Sequence, residues 1–205
     1  MYIPAHFAQR DLAAQHEAIE RYSFARLVSI AGGELTASHV PLLLNRSGGS
    51  HGTLLGHMAR ANSQWRDAVG HDVLAIFSGP HAYISPSWYE STQVVPTWNY
   101  VAVHAYGRLQ LLEDRTEVEL LLARMVALYE AGQPQPWRIN EPAEFVERML
   151  KQIVAFRIPI TRLEGKWKLN QNRPADQRQR VINVLSQRSD ENSQAIAQLM
   201  RGVSP

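Results

Sequence analysis

The segment Gly56-His57-Met58-Ala59-Arg60-Ala61-Asn62 leads from an apolar stretch into a polar one. At such a strand-to-helix junction free backbone N–H groups attract anions. Arg60 adds a charge with paired donors, and Asn62 can cap a helix or donate to a phosphate oxygen. These residue types can cradle a phosphate, but on spacing alone a plain capped helix with one exposed Arg is the preferred reading, because no glycine-rich phosphate fingerprint is present. Upstream, Thr36, Ser38 and Val40 share one face of a strand, with His39 on the other. Two hydroxyls in a row suit a ligand with several polar groups or a solvent-facing strand. His57 and His104 lie in strand-like stretches, where each could be an axial haem ligand or a satisfied core residue. The eight histidines show no metal-ligand spacing, and no nucleophile–base arrangement stands out. No catalytic or metal-ligating residue is therefore nominated.

Two aromatic clusters add to this. Tyr83, Trp88, Tyr89, Trp98 and Tyr100 crowd one stretch of a chain with only 8% aromatic residues. Such side chains stack on flat heterocycles and also build protein interfaces. Lys166-Trp167-Lys168-Leu169-Asn170-Gln171-Asn172-Arg173 surrounds one Trp with cations and amides. It can recognise a phosphate or the polar edge of a flat ring, or it can be a surface turn. Together these features suit an aromatic, phosphorylated ligand.

The elements that must position these residues follow from periodicity. Asp11–Tyr22 has helical spacing; Phe24–Ile30 and Glu34–Leu44 read as strands joined by a tight turn at Gly32-Gly33. Thr53–Met58 is a third strand, Ser63–Val69 a short helix and Val73–Ser78 a strand stopped at Gly79-Pro80. His81–Pro96 reads as an ordered loop and Trp98–Leu112 as one alternating strand, with Gly107 at a bulge or close backbone approach. Thr116–Glu130 and Ala143–Ile153 are amphipathic helices around a turn-like Gln133–Pro142. Phe156, Ile158 and Ile160 then alternate as a strand, with Pro159 marking an edge or bulge and Leu163–Leu169 continuing it. Pro174 starts a further helix, and Asn192–Met200 forms the last. Hairpin-linked strands with few crossover helices point to a mainly β, α+β fold built as an antiparallel barrel or sandwich, not a Rossmann sheet. The expected organisation is one domain over 1–172 with a helical extension over 173–205 in the same compact unit.

Length and composition agree. A chain of 205 residues, 45% apolar and 20% charged, can bury a sizeable core, which excludes disorder and fibrous repeats. Without cysteine, disulfides, zinc ribbons and thiol nucleophiles are excluded, and a cytoplasmic location is expected. The apolar runs are too short for a membrane span, so no membrane partner is expected. Twenty-one basic against nineteen acidic residues leave a net charge of +2, too mild to mark a nucleic-acid stripe. No helix-turn-helix with a basic recognition helix is visible.

MYIPAHF, ELTASHVPLLL, LLGHMARANSQWRD, VLAIFSGPHAYISPSWY, VPTWNYVAVHAYGRLQLLED and EGKWKLNQNR together closely resemble the PaiB family, in the family's order and over nearly the whole chain. Members are described as FMN-binding negative transcriptional regulators with the FMN-binding split-barrel fold, shared with pyridoxamine-phosphate oxidases and flavin reductases. The resemblance implies FMN as cofactor and a homodimer with flavin at the subunit interface. It assigns Arg60, Ala61 and Asn62 to the phosphate, although the oxidases' doubly cationic pair is here one Arg followed by neutral residues. Thr36, Ser38 and His39 would line the ring or ribityl chain, with His57 beside them. Asn99 would approach the ring's polar edge, and Trp167, Lys168 and Gln171 would reach in from the partner subunit. DNA is a partner by resemblance only. Two alternatives remain at this stage: an FMN-dependent oxidoreductase, and a haem-binding split barrel using His57 or His104.

Overall fold

Gly32 and Gly33 both adopt positive φ, +56° and +88°, the conformation a two-residue hairpin turn with the right-handed strand twist requires. They join β2 (Phe24–Ala31) to β3 (Glu34–Asn45), which pair antiparallel from Ala31 opposite Glu34 to Phe24 opposite Pro41. A computed structural model describes residues 1–139 and 142–202. Asn140 and Glu141 of the expected turn, and residues 203–205 of the expected C-terminal extension, lie outside these.

In chain order the remaining elements are β1 (Ala8–Gln9), α1 (Leu12–Arg21), β4 (Thr53–Ala59), α2 (Gln64–Ala68), β5 (Asp72–Ile84), β6 (Thr97–Arg108) and β7 (Gln110–Leu111). They continue with α3 (Arg115–Glu130), α4 (Ala143–Leu150), β8 (Ile153–Lys168), α5 (Ala175–Ser186) and α6 (Glu191–Arg201). The strand order is β1-β8-β4-β3-β2-β5-β6, with β7 on β8 and a further pairing of β6 with β8. That last pairing closes six strands on themselves, so the chain forms the antiparallel split barrel expected of it. Among the described residues no helix is long and apolar enough to cross a membrane.

The chain divides into two compact units, one of residues 1–18, 77–104 and 164–205, the other of 19–76 and 105–163. The core of the first gathers α5 and α6 with the end of β5: Ile84, Tyr89, Leu169, Val181, Leu185 and Ile196 are each at most 1% exposed. In the second, Leu121 and Met125 of α3 pack on Leu43 and Ala155. Asp114 starts α3 by accepting a hydrogen bond from the Glu117 amide, 2.9 Å.

Long-range pairing overrides several local signals. Gly79-Pro80 does not end β5: Ala82 and Ile84 resume the alternation and are buried, so strand replaces the first part of the expected loop. Pro159 is no edge residue, because β8 is one sixteen-residue strand that pairs Pro159 with Thr53 of β4. On its other side lies Gly107, where any Cβ would collide with the Pro159 carbonyl and stand 2.7 Å from Ile158 Cγ2. Gly107 is thus the close approach its sequence position predicts. The expected strand 98–112 breaks at Leu109, which bridges to Val69; β7 then pairs Gln110 with Arg157 and Leu111 with Phe156. The expected helix 143–153 ends at Leu150, and Ile153 already belongs to β8.

Candidate functional site

Within the second unit, the end of β4 is held on two sides. The Arg60 amide donates to Gln152 O at 2.7 Å. Its guanidinium donates through Nε to Lys151 O at 2.9 Å and through Nη2 to Ile153 O at 2.8 Å. The Arg60 carbonyl accepts from Trp65 Nε1 at 3.1 Å. Two of its five guanidinium donors thus serve the α4–β8 corner. Asn62 Nδ2 donates to Ser38 Oγ at 2.8 Å, and Asn62 Oδ1 accepts the Gln64 amide at 3.0 Å. Asn62 therefore closes a turn just ahead of Ser63, the N-cap of the short α2, while tying that turn to β3.

Behind this loop sits a residue that the sequence reading did not single out. Gln64 is 1% exposed, and its Nε2 lies 2.9 Å from Leu27 O, 3.1 Å from Ser29 Oγ and 3.2 Å from Thr36 O. One amide thus fastens α2 to both strands of the β2–β3 hairpin. Nothing in its local sequence marks it. Thr36 and Ser38 are half-buried and His39 is exposed, the alternation expected of them, and His39 sits 6.0 Å ring to ring from Phe24. Ala61 is exposed. His57 is half-buried on β4, opposite Ala155; burial pushes its imidazole below the ordinary value, and Nδ1 has no partner among the described residues. A cavity of about 410 Å³ opens beside Arg60, with Trp65, Arg115, Glu147 and Lys151 among its lining. Arg115 and Glu147 form an ion pair in it. Trp65 and Lys151 are further additions to the expected set.

The first unit holds the other group. Lys168 Nζ donates to Thr97 Oγ1 and, at 2.8 Å, to Trp98 O. Burial, with Lys166 and then Arg173 nearby, lowers the Lys168 ammonium from its usual pKa. Lys166 is 7% exposed, donates to Tyr2 O at 3.0 Å and stands 5.3 Å over the Tyr100 ring. Gln171 closes its own turn, donating to Trp167 O at 2.6 Å and accepting the Leu169 amide at 2.7 Å. Asn170, at φ +63°, donates to Tyr89 Oη at 2.9 Å. Asn99 is fully buried; its Nδ2 lies 3.4 Å from Met200 Sδ and its Oδ1 has no partner among the described residues. Trp98, exposed beside it in sequence, meets Tyr83 edge to face at 5.8 Å. The expected site residues therefore form two groups: Thr36, Ser38, His39, His57 and Arg60–Asn62 in one unit, Asn99, Trp167, Lys168 and Gln171 in the other.

A family model described as "Putative FMN-binding domain" matches residues 1–162. The protease synthase and sporulation protein PAI 2 of Bacillus subtilis (strain 168) is 38% identical over 203 residues, which span 98% of this chain and 96% of that one. The chain belongs to the PaiB family. Its cofactor is FMN. An uncharacterized protein of Emericella nidulans is 28% identical to this PaiB-family chain over 98% of its length and 96% of the relative's. Among solved structures, the flavocytochrome Anf3 of Azotobacter vinelandii superposes with a TM-score of 0.59 at 13% identity, covering 81% of this chain and 72% of that one. The FAD and heme binding protein of Mycobacterium smegmatis gives 0.56 at 12% identity, covering 83% and 78%. At these identities the likeness is one of fold.

Proposed function

We propose that this PaiB-family chain is an FMN-dependent regulatory protein, a cytoplasmic homodimer whose flavin sites are completed by both subunits. The observation that carries the reading is the double hold on residues 60–62, from Ser38 on one side and the carbonyls of residues 151 and 153 on the other. A loop fixed in this way presents its remaining donors without first having to be ordered.

The donor set fits FMN. Arg60 and Lys151 line one cavity and supply positive charge for a phosphate. The Ser38 and Thr36 hydroxyls and the buried, unpartnered His57 Nδ1 suit ribityl hydroxyls or ring edges. Lys168, Trp167 and Gln171 form a rigid cationic turn, suited to an electron-rich ring edge of the partner subunit's flavin. When bound, FMN supplies a ring that accepts or gives up electrons; the chain's residues bind it, orient it and limit its contact with water. A regulatory role agrees with the name of the Bacillus subtilis relative, which links that protein to protease synthesis and sporulation.

The test is a titration of purified protein with FMN and, separately, with riboflavin, followed by flavin absorbance and fluorescence. Saturable FMN binding at one per chain, several-fold tighter than riboflavin, supports the reading. Absence of FMN binding overturns it. A Soret band on adding haemin that vanishes in His57→Ala, with no FMN binding, favours the haem alternative instead.

A further inference from the structure

A second cavity lies within the second unit, lined by none of the residues assigned to the flavin. It measures about 530 Å³ and is walled by α3 and by strands β3, β4, β7 and β8. Leu55, Leu112, Leu121 and Pro159 give it an apolar wall. Its charged lining consists of Arg124 and Arg157 against Glu117, a net charge of +1. Arg157 Nε donates to Gln110 Oε1 at 3.0 Å, which steadies the guanidinium and leaves its Nη groups available. Arg124 has no hydrogen-bond or ion-pair partner among the described residues. It also lines a neighbouring cavity of about 410 Å³, floored by Leu42, Leu43 and Leu44. Leu120 and Leu128, one helical turn to either side of Arg124, are 60% and 52% exposed. A trough thus runs along α3, floored by leucines, with Arg124 shared by both cavities and Arg157 in the larger one; Glu20, at the edge of the smaller cavity, is paired with Arg46.

We propose that this trough binds a small amphipathic monocarboxylate, its carboxylate on Arg124 and Arg157 and its hydrocarbon along the leucines. The volume falls in the range of small-molecule sites, and an apolar wall faces polar and charged groups that can fix a ligand's orientation. The charge balance selects the class. Two guanidiniums neutralise a carboxylate, whereas Glu117 disfavours a second negative charge. Such a ligand would act away from the flavin residues, as an effector rather than as a substrate of the ring.

Calorimetric titration of the FMN-loaded full chain with octanoate tests the proposal. One saturable site per chain is expected, with octanol at least tenfold weaker because it lacks the charge. Hexanoate should bind more weakly by about fourfold for each methylene removed, the equivalent of about 0.8 kcal/mol per buried CH₂. Arg124→Gln and Arg157→Gln, both at exposed positions, should each weaken octanoate about tenfold while leaving flavin absorbance and melting temperature unchanged. Equal binding of octanol and octanoate by the unmodified chain overturns the proposal without any variant. So does octanoate affinity that survives in the double variant, or no saturable binding at millimolar concentration.

Discussion

Arg60→Ala separates the corner bonds that the structure shows from the phosphate contact proposed for the same side chain. The guanidinium donates to the carbonyls of Lys151 and Ile153, and its remaining donors are proposed to meet the FMN phosphate. Charge-assisted hydrogen bonds contribute about 1.5–3 kcal/mol when sheltered, but Arg60 is exposed, so its corner bonds together should contribute nearer 1 kcal/mol. The apo variant should therefore lose about 1 kcal/mol in urea unfolding with an unchanged slope. The proposed phosphate contact would lie in the cavity that Arg60 lines, and its loss should weaken FMN by about tenfold to a hundredfold. Riboflavin has no phosphate and should lose no more than about fivefold, the part transmitted through the loosened corner. Arg60→Lys keeps the charge but cannot span both carbonyls, so it should recover part of the FMN affinity and less of the stability. Fluorescence-quenching titrations of both flavins, with urea melts of the apo proteins, read all of these quantities. An equal loss for FMN and riboflavin would confine Arg60 to the corner and refute the phosphate assignment.

Gly107→Ala forces a Cβ onto the Pro159 carbonyl, backbone that cannot step aside, and should cost more than about 3 kcal/mol in urea unfolding. Burial holds the His57 imidazole below its ordinary pKa of 6.5, so the unfolded chain binds that proton more readily. Stability should accordingly be full above about pH 6.5 and fall as the pH drops through it, and His57→Gln should flatten that slope between pH 5 and 7.5. Light scattering should find a dimer at micromolar concentration, with an obligate interface of more than about 2,000 Å²; a monomer would remove the shared flavin site. DNA binding should be weak, steeply salt-dependent and indifferent to sequence, given a net charge of +2 per chain; a nanomolar, sequence-selective footprint at about 150 mM salt would restore a direct repressor.

What could be read in the sequence was whatever neighbouring residues determine. Gly32-Gly33 fixed the first hairpin because few other residue pairs take its dihedral angles, and α3 was legible from apolar residues on helical spacing, although not its Asp114 cap. Gly79-Pro80 and Pro159 misled because their punctuation is local, whereas the pairing that keeps them in strands comes from Thr53, Gly107 and the buried Ala82 and Ile84. The site divides in the same way. Ser38, Arg60 and Asn62 announced themselves by type, and the family motif ordered them. That Asn62 would meet Ser38, or that Arg60 would grip carbonyls some ninety positions later, is tertiary information. Gln64 carried no signal, since one buried amide among many glutamines differs only in its surroundings.

That buried amide also constrains how the family can vary. Loops between regular elements ordinarily absorb added or lost residues. The link from β4 to α2 has no such slack: Asn62 is tied to Ser38, and two residues later Gln64 is fastened to Leu27, Ser29 and Thr36. Adding one residue between them would rotate the second anchor by about 100° around the helix axis and carry its amide out of the core. Length between positions 60 and 64 should therefore be fixed even where residue identity drifts. A library of single-residue insertions should find this stretch among the least tolerant on the surface.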